Sequence, residues 1–291
     1  MEPSQPNTFA MSDAEFKAIA DIAYKEAGLV FLPEKASLVQ SRINRRLRKL
    51  RLRSFSDYTS LVESEQGFEE RKIMISSLTT NVSNFFREAH HFEILRTQVL
   101  PPLISRARNG GRVRLWSAGC STGQEPYSMA MTLLDVAPDI ANLDIKILAS
   151  DIDPNVIATA KQGYYDIRSA RDLSDSFLER YTQPQKKGSQ EGFIVSDTIR
   201  NLVSFRELNL LKPWPISGLF DAIFCRNVVI YFDKVTQQAL WPRFEAVMAD
   251  DGWIFMGHSE RLSDQIETNF VAAGPTAYRL STRSFPTTKV E

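Results

Sequence analysis

LWSAGCSTGQEPYS, residues 115–128, decides the fold. Leu115 to Ala118 end the strand RVRLWSAG, Gly119 and Gly123 occupy the turn, and PYSMAMTLLDV continues as an amphipathic helix. Glycine in such a turn lets the backbone approach a ligand closely and take up positive φ. In open α/β sheets, ligands bind beyond the carboxyl ends of the strands. A dinucleotide fingerprint would space its glycines G-x-G-x-x-G and lay pyrophosphate on the helix N-terminus. Here the spacing is G-x-x-x-G, followed by Glu125. A carboxylate there repels pyrophosphate and suits a ligand with a positive end, such as the ammonium and sulfonium of S-adenosylmethionine. A tight structural turn accounts for the glycines equally well at this point.

Working outward, DIKILASDID is the next strand and NVIATAKQG the next helix. Asp151 then lies at the end of the neighbouring strand, where an acid accepts from both ribose hydroxyls of a nucleoside. Asp153 caps the following helix, since Asp-Pro-Asn is a good helix start. FDAIFCRNVVIYF is a later buried strand whose exit carries Arg226 and Asn227 to the same rim, with Tyr231 shortly after. TQQALWPRFEAVM reads as a helix, and GWIFMGHSE and FVAAGPTAYRLS as a closing pair of strands. Strand–helix alternation implies a mostly parallel sheet with helices on its faces, a Rossmann-like α/β domain. Residues 163–203 interrupt that rhythm with a polar, turn-rich stretch and the strand candidate GFIVS, which reads as an inserted β-subdomain.

Residues 11–90 read as all-helical. Ser12 and Glu15 make a capping box before Phe16, Ile19 and Ile22, and the helix stops near Gly28. A second helix starts after Pro33, at Glu34, with Leu38, Val39, Ile43, Leu47 and Leu50 on its apolar side. Residues 56–79 carry two more short helical patterns. The expected domains are therefore 11–90, helical, and 91–284, α/β, with the insertion at 163–203. Residues 1–10 and 282–291 read as loose tails.

Composition narrows the class. Lys and Arg number 35, as do Asp and Glu, so net charge does not point to nucleic acid. No apolar run approaches the roughly 20 residues needed to span a bilayer, and MEPSQPNTFA lacks the pattern of a signal peptide. Two cysteines, Cys120 and Cys225, fit a reduced, cytoplasmic setting and read as packing residues. The histidines are His90, His91 and His258; adjacent rings at 90–91 point to different faces of a helix, so no metal site is expected. Charge is uneven locally. Residues 42–53 hold Arg42, Arg45, Arg46, Arg48, Lys49, Arg51 and Arg53 and no acid. Such a face is either simply solvated or a docking surface. No aromatic platform interleaves with it, which disfavours RNA.

These elements, with LTTNVSNFFREAHHF at residues 78–92, resemble the CheR family of chemotaxis receptor methyltransferases. The similarity runs from about residue 12 to about 281, and TTNVSNFFRE, GCSTGQEPYS, FDAIFCRNVVIYFD and GHSE carry it. The resemblance implies S-adenosylmethionine as cofactor, with S-adenosylhomocysteine as product. It implies cofactor contacts from Asn81, Ser83, Arg87, Gly119, Glu125, Asp151, Asn209, Leu210, Arg226 and Asn227. Ser83 stands where the family often has Thr and keeps the hydroxyl. Arg87 and Tyr231 become candidate catalytic residues. Arg42, Arg45, Arg46, Lys49 and Arg53 become a docking face for the acidic helical region of cytoplasmic receptors. The insertion becomes a seat for a receptor C-terminal pentapeptide by strand addition. Neither nucleic acid nor membrane insertion is implied. A small-molecule or RNA methyltransferase, or a non-catalytic S-adenosylmethionine sensor, would share the glycine turn and Asp151. A dehydrogenase is the weakest reading because its glycine spacing is missing.

Overall fold

The computed structural model describes residues 9–262 and 268–281, and the chain forms two units. One unit runs up to Asn81 and takes in Tyr231–Asp233; the other holds Val82–Ile230 and the chain from Lys234.

The first unit is four helices. In α1 (Asp13–Ala27), the Ser12 side chain accepts the Glu15 N–H and Glu15 reaches back, the expected capping box. Gly28 ends it in the left-handed region at φ 67°. After a 3-10 turn at Pro33–Lys35, α2 runs Ala36–Leu50, two residues later than its sequence suggested. α3 (Phe55–Glu63) and α4 (Phe68–Leu78) follow. Ile19, Ala23, Val39, Ile43, Leu47, Phe55, Tyr58 and Met74 make the core. Leu38 and Leu50 were expected on the buried side but are 38% and 36% exposed, because the apolar stripe is narrower than the pattern implied. Phe9, expected in a loose tail, is held by its backbone: Asn44 accepts its N–H at 2.9 Å and donates to its carbonyl at 3.0 Å. The rest of that tail, residues 1–8, and the tail at 282–291 lie outside the described residues.

The second unit starts with α5 (Ala89–Ile94), which passes through a π turn at Leu95–Val99 into α6 (Leu100–Arg108). Then come β1 (Val113–Ala118), α7 (Gln124–Val136), β2 (Ile145–Asp151) and α8 (Pro154–Gln162). The insertion follows: β3 (Tyr164–Asp166), α9 (Asp175–Tyr181), β4 (Thr182–Lys187) and β5 (Gln190–Val195) form their own antiparallel sheet, order β3-β5-β4. α10 (Asp197–Arg200) leads back to β6 (Val203–Glu207), β7 (Phe220–Cys225), α11 (Lys234–Ala246), β8 (Met248–Met256), β9 (Phe270–Gly274) and β10 (Ala277–Leu280). The main sheet has the order β6-β2-β1-β7-β8-β10-β9, with its first five strands parallel and the last two antiparallel. The closing pair differs from expectation. GWIFMGHSE supplies the fifth parallel strand, while FVAAGPTAYRLS holds both strands of the antiparallel hairpin; Gly274 and Thr276, at φ 48°, sit around its turn. All six residues of β7 are buried, as a strand covered on both faces requires. No described helix is long and apolar enough to cross a membrane.

Candidate active site

The parallel register brings the ends of β1, β2, β6 and β7 to one rim, with Ala118 opposite Ser150 and Asp151 opposite Glu207. β1 lies between β2 and β7, so the chain winds outward in both directions from it, and the crevice at that point is where open sheets bind ligands. The glycine turn leaves β1 there. Gly119 has φ 88°, and a Cβ on it would come within 2.3 Å of Val228 Cγ2, so no other residue fits. Gly123, at φ 96°, starts α7 with a Cβ position 2.9 Å from Ala160. The backbone between them bends through Ser121 at φ 50°, whose N–H donates to Asp151 Oδ2 at 2.8 Å.

Asp151 therefore ties the two turns together. Its Oδ1 accepts the Asp153 N–H at 3.0 Å. A carboxylate offers about four acceptor sites, so capacity remains for a ligand's hydroxyls. Burial pushes its pKa up, and these backbone donors oppose the shift. Asp153 caps α8 as read, its Oδ1 accepting the Asn155 N–H at 2.9 Å. Leu208 N–H donates to the Asp151 carbonyl at 2.9 Å, which sets Asn209 and buried Leu210 beside the end of β2. Asn209 Oδ1 turns the chain by accepting the Leu211 N–H.

Arg226 is the buried centre of charge. Its Nη1 donates to Glu125 Oε2 at 3.1 Å, and its Nη2 lies 3.2 Å from Glu88 Oε2 and donates to the Arg87 carbonyl. Phe92 and Phe224 lie beneath the guanidinium. Glu125 also accepts the Ser117 hydroxyl at 2.7 Å. Burial raises the Glu125 pKa despite Arg226 and Ser117, and so keeps the acid costly to ionise. For Glu88 burial acts the same way, but Arg226 and His258 outweigh it and its pKa falls.

The segment before α5 is fixed from several sides. Phe85 is buried against Tyr165 and Phe193 of the insertion, with ring centroids 4.9 and 5.9 Å away. Tyr165 in turn donates to the Thr122 carbonyl in the glycine turn at 2.6 Å. Phe86, at φ 51°, donates its N–H to Ser128 on α7 at 2.9 Å. Half-buried Ser83 and Arg87 flank this anchor, and Arg87 Nη1 donates to the Val82 carbonyl at 3.2 Å. On the opposite side of the rim, buried Glu260 accepts N–H groups from Asn227 and Gly257 at 2.7 Å and from Ile230 at 3.1 Å. It pins the exit of β7, where Asn227 takes φ 60°.

Sequence reasoning missed Glu88, Tyr165 and Glu260. Glu88 and Glu260 stood inside quoted motifs, and each is the lone acid of a turn, which was the available signal. Two other readings change. Arg46 is not on the exposed basic face expected to dock a partner: it is buried, bidentate to Glu70 at 2.9 and 2.6 Å, and Tyr58 donates to the same carboxylate at 2.9 Å. Arg42 is half-buried and caps α4 through the Leu78 and Thr79 carbonyls. Arg45, Lys49 and Arg53 are exposed, as are Arg48 and Arg51. His90 and His91 are not apart either. Their ring centroids are 4.1 Å from one another, and a ligand atom from each lies with one from left-handed Glu88, φ 56°, within 4.8 Å of one another. Asn81 and Tyr231 belong to the helical unit, where the Tyr231 carbonyl accepts the Val30 N–H at 2.9 Å. The candidate catalytic pair, Arg87 and Tyr231, is thus divided between the units. Both cysteines are free and buried, and burial raises both thiols well above their usual pKa.

Residues 14–79 match the family description "CheR methyltransferase, all-alpha domain", and residues 81–278 match "CheR methyltransferase, SAM binding domain". A Rhizobium etli protein named "Probable chemotaxis protein methyltransferase" is 46% identical over 260 residues, covering 89% of this chain and 97% of that protein. The "Chemotaxis protein methyltransferase" of Escherichia coli K12 is 44% identical over 274 residues, covering 94% of this chain and 92% of that protein. The protein of that name from Salmonella typhimurium is 43% identical over 274 residues, with 94% and 92% covered.

Proposed function

The chain belongs to the CheR family of S-adenosylmethionine-binding methyltransferases, and we propose that it esterifies glutamate side chains of chemotaxis receptors from the cytoplasm. The observation that carries this reading is the rim itself: two acids, Asp151 and Glu125, beside a glycine that tolerates no side chain.

The residues present fit the cofactor. Asp151 keeps acceptor capacity for two vicinal hydroxyls, and Asn209 and Leu210 stand next to it for the base. Gly119 lets the backbone come close to the ligand, and Glu125 offers acceptor capacity to an ammonium. Ser83, Arg87 and Asn227 complete the contacts we assign within the second unit. Arg226 we assign a positioning role, since its nitrogens are committed to Glu125, Glu88 and the Arg87 carbonyl. The bound cofactor supplies an electrophilic methyl group on a sulfonium.

The acceptor needs no general base. A glutamate with a pKa of about 4.3 is already ionised at neutral pH. The chain's task is to align the carboxylate and keep water out, and positioning of this kind can remove roughly 7–11 kcal/mol from a barrier. Arg87 is the residue we assign to the incoming carboxylate, through its planar fork. Tyr231 we assign to orienting the acceptor. Exposed Arg45, Lys49 and Arg53 would meet the acidic receptor helices, where complementary charge sets on-rate and register. β4 is an edge strand of the insertion's sheet, and we assign it to strand addition by a receptor C-terminal peptide.

The test is incubation with labelled S-adenosylmethionine and receptor-containing membranes. The expected product is receptor label that mild alkali releases, as a glutamyl methyl ester requires. Alkali-stable label, or none on receptor, overturns the proposal.

A further inference from the structure

The chain has three histidines, and all three gather around one carboxylate, Glu88. His91 is wholly buried, and its Nε2 lies 3.0 Å from the Pro275 carbonyl oxygen. Thr276 Oγ1, also 3.0 Å from Nε2, can donate or accept, whereas a carbonyl only accepts, so the Pro275 contact puts the ring proton on Nε2 and leaves a lone pair on Nδ1. That Nδ1 has no hydrogen-bond partner. It faces Glu88 Oε2, likewise without one, across 3.5 Å. Two acceptors facing each other in a buried place repel unless positive charge lies between them. Arg226 lies 3.2 Å from Glu88 Oε2 and supplies some of it, but it has no hydrogen bond to that oxygen.

The gap has the size of a coordination site. Zinc-type bonds of about 2.0–2.1 Å to imidazole and about 2.0–2.2 Å to carboxylate put tetrahedral ligands about 3.4 Å apart. A third donor is at hand: exposed His90, whose ligand atom lies with those of Glu88 and His91 within 4.8 Å of one another. His258 touches Glu88 Oε1 at 3.3 Å from the solvent side. The Pro275 carbonyl on Nε2 is the outer partner that metal-binding imidazoles ordinarily have. An imidazole-rich set selects zinc, nickel, cobalt or copper over magnesium or calcium.

We propose that Glu88, His90 and His91 form a binding site for a divalent transition cation of the zinc class. The arrangement is independent of methyl transfer and is read without cofactor or receptor. Arg226 opposes the added charge, and its pairing with Glu125 offsets that opposition.

The experiment uses the untagged full chain, freed of metal with a chelator and titrated with Co(II). The expected result is the visible absorption of four-coordinate Co(II), saturating at about one equivalent and bleached by Zn(II). Because His91 is buried, the decisive variant is His90→Ala, whose side chain is exposed. Losing a ligand costs at least what losing an outer partner costs, so its affinity should fall by about 10–100-fold or more. No saturable band in the parent, or an unchanged affinity in His90→Ala, overturns the site.

Discussion

Arg46 in the helical unit and Arg226 at the sheet rim are both buried beside carboxylates, and the two surroundings differ in one respect. Arg46 meets a single acid, Glu70, through two parallel hydrogen bonds, and Tyr58 adds a third donor to that acid. Among the described residues the Arg46 and Glu70 side chains leave no buried atom without a partner. Arg226 divides itself between Glu125, Glu88 and the Arg87 carbonyl, and its Nε, Glu88 Oε2 and His91 Nδ1 are left without hydrogen bonds. The first network is closed and serves to hold α2 on α4. The second is open. Buried polar atoms without partners are costly, and here they lie beside the rim proposed for the cofactor.

Breaking each centre gives the largest expected effects. Arg46→Met leaves Glu70 buried without its counter-charge and should cost about 3–5 kcal/mol in urea denaturation. The double variant Arg46→Met/Glu70→Leu removes both charges and should recover most of that loss. Arg226→Met orphans two acids and should cost a similar amount, about 3–5 kcal/mol. It should also abolish S-adenosylhomocysteine binding, which Arg46→Met, measured well below its unfolding midpoint, should leave within about twofold. Loss of binding in Arg46→Met alone would erase the distinction between closed and open networks.

Asp151→Ala comes next and probes the rim without touching either arginine. Calorimetry should show the affinity for S-adenosylhomocysteine falling by a factor of about 30 or more, the equivalent of roughly 2 kcal/mol for hydrogen bonds to a charged group. Unchanged affinity would remove the ribose from Asp151. Glu260→Gln is milder. Its amide nitrogen cannot accept, so one oxygen must serve donors that two served before. A loss of about 1–3 kcal/mol in urea is expected, the cost of leaving a buried donor unpaired. Cofactor affinity should weaken with it, because the exit of β7 is no longer pinned; an unweakened affinity would confine Glu260 to stability.

These centres were unequally legible in the sequence. The sheet could be read because strand period and helix period alternate, and because strand ends change abruptly from apolar to polar at Asp151 and Arg226. The hairpin was misdivided because FVAAGPTAYRLS was read as one strand across the turn that separates β9 from β10, and nothing local tells a parallel strand from an antiparallel one. Glu260 escaped because its partners beyond its own turn, Asn227 and Ile230, are backbone groups some thirty residues earlier. Spacing rules see side chains, not a loop folded against a distant acid. Arg46 was misplaced for a different reason. It lies three residues from Ile43 and seven from Val39, which puts it on the buried stripe of α2. Its charge drew the reading toward solvent, while the partner that lets it be buried, Glu70, sits on another helix.

The smallest expected effect sharpens the same contrast from outside. Once Arg46 and Arg42 are committed to α4, the proposed docking face rests on Arg45, Lys49 and Arg53. None of these has an ion-pair partner among the described residues. Reversing two of them, Arg45→Glu/Lys49→Glu, should change stability by no more than about 0.5 kcal/mol per site, as is usual for surface positions. Cofactor affinity should not move. What should fall is the association rate with receptor, and the fall should shrink as salt approaches 1 M, where the screening length is only about 3 Å. Stopped-flow mixing with a receptor cytoplasmic fragment at two ionic strengths reads this directly. A rate that is equal in parent and variant at low salt would return this face to plain solvation, and the basic helix would then owe its composition to Arg42 and Arg46 alone.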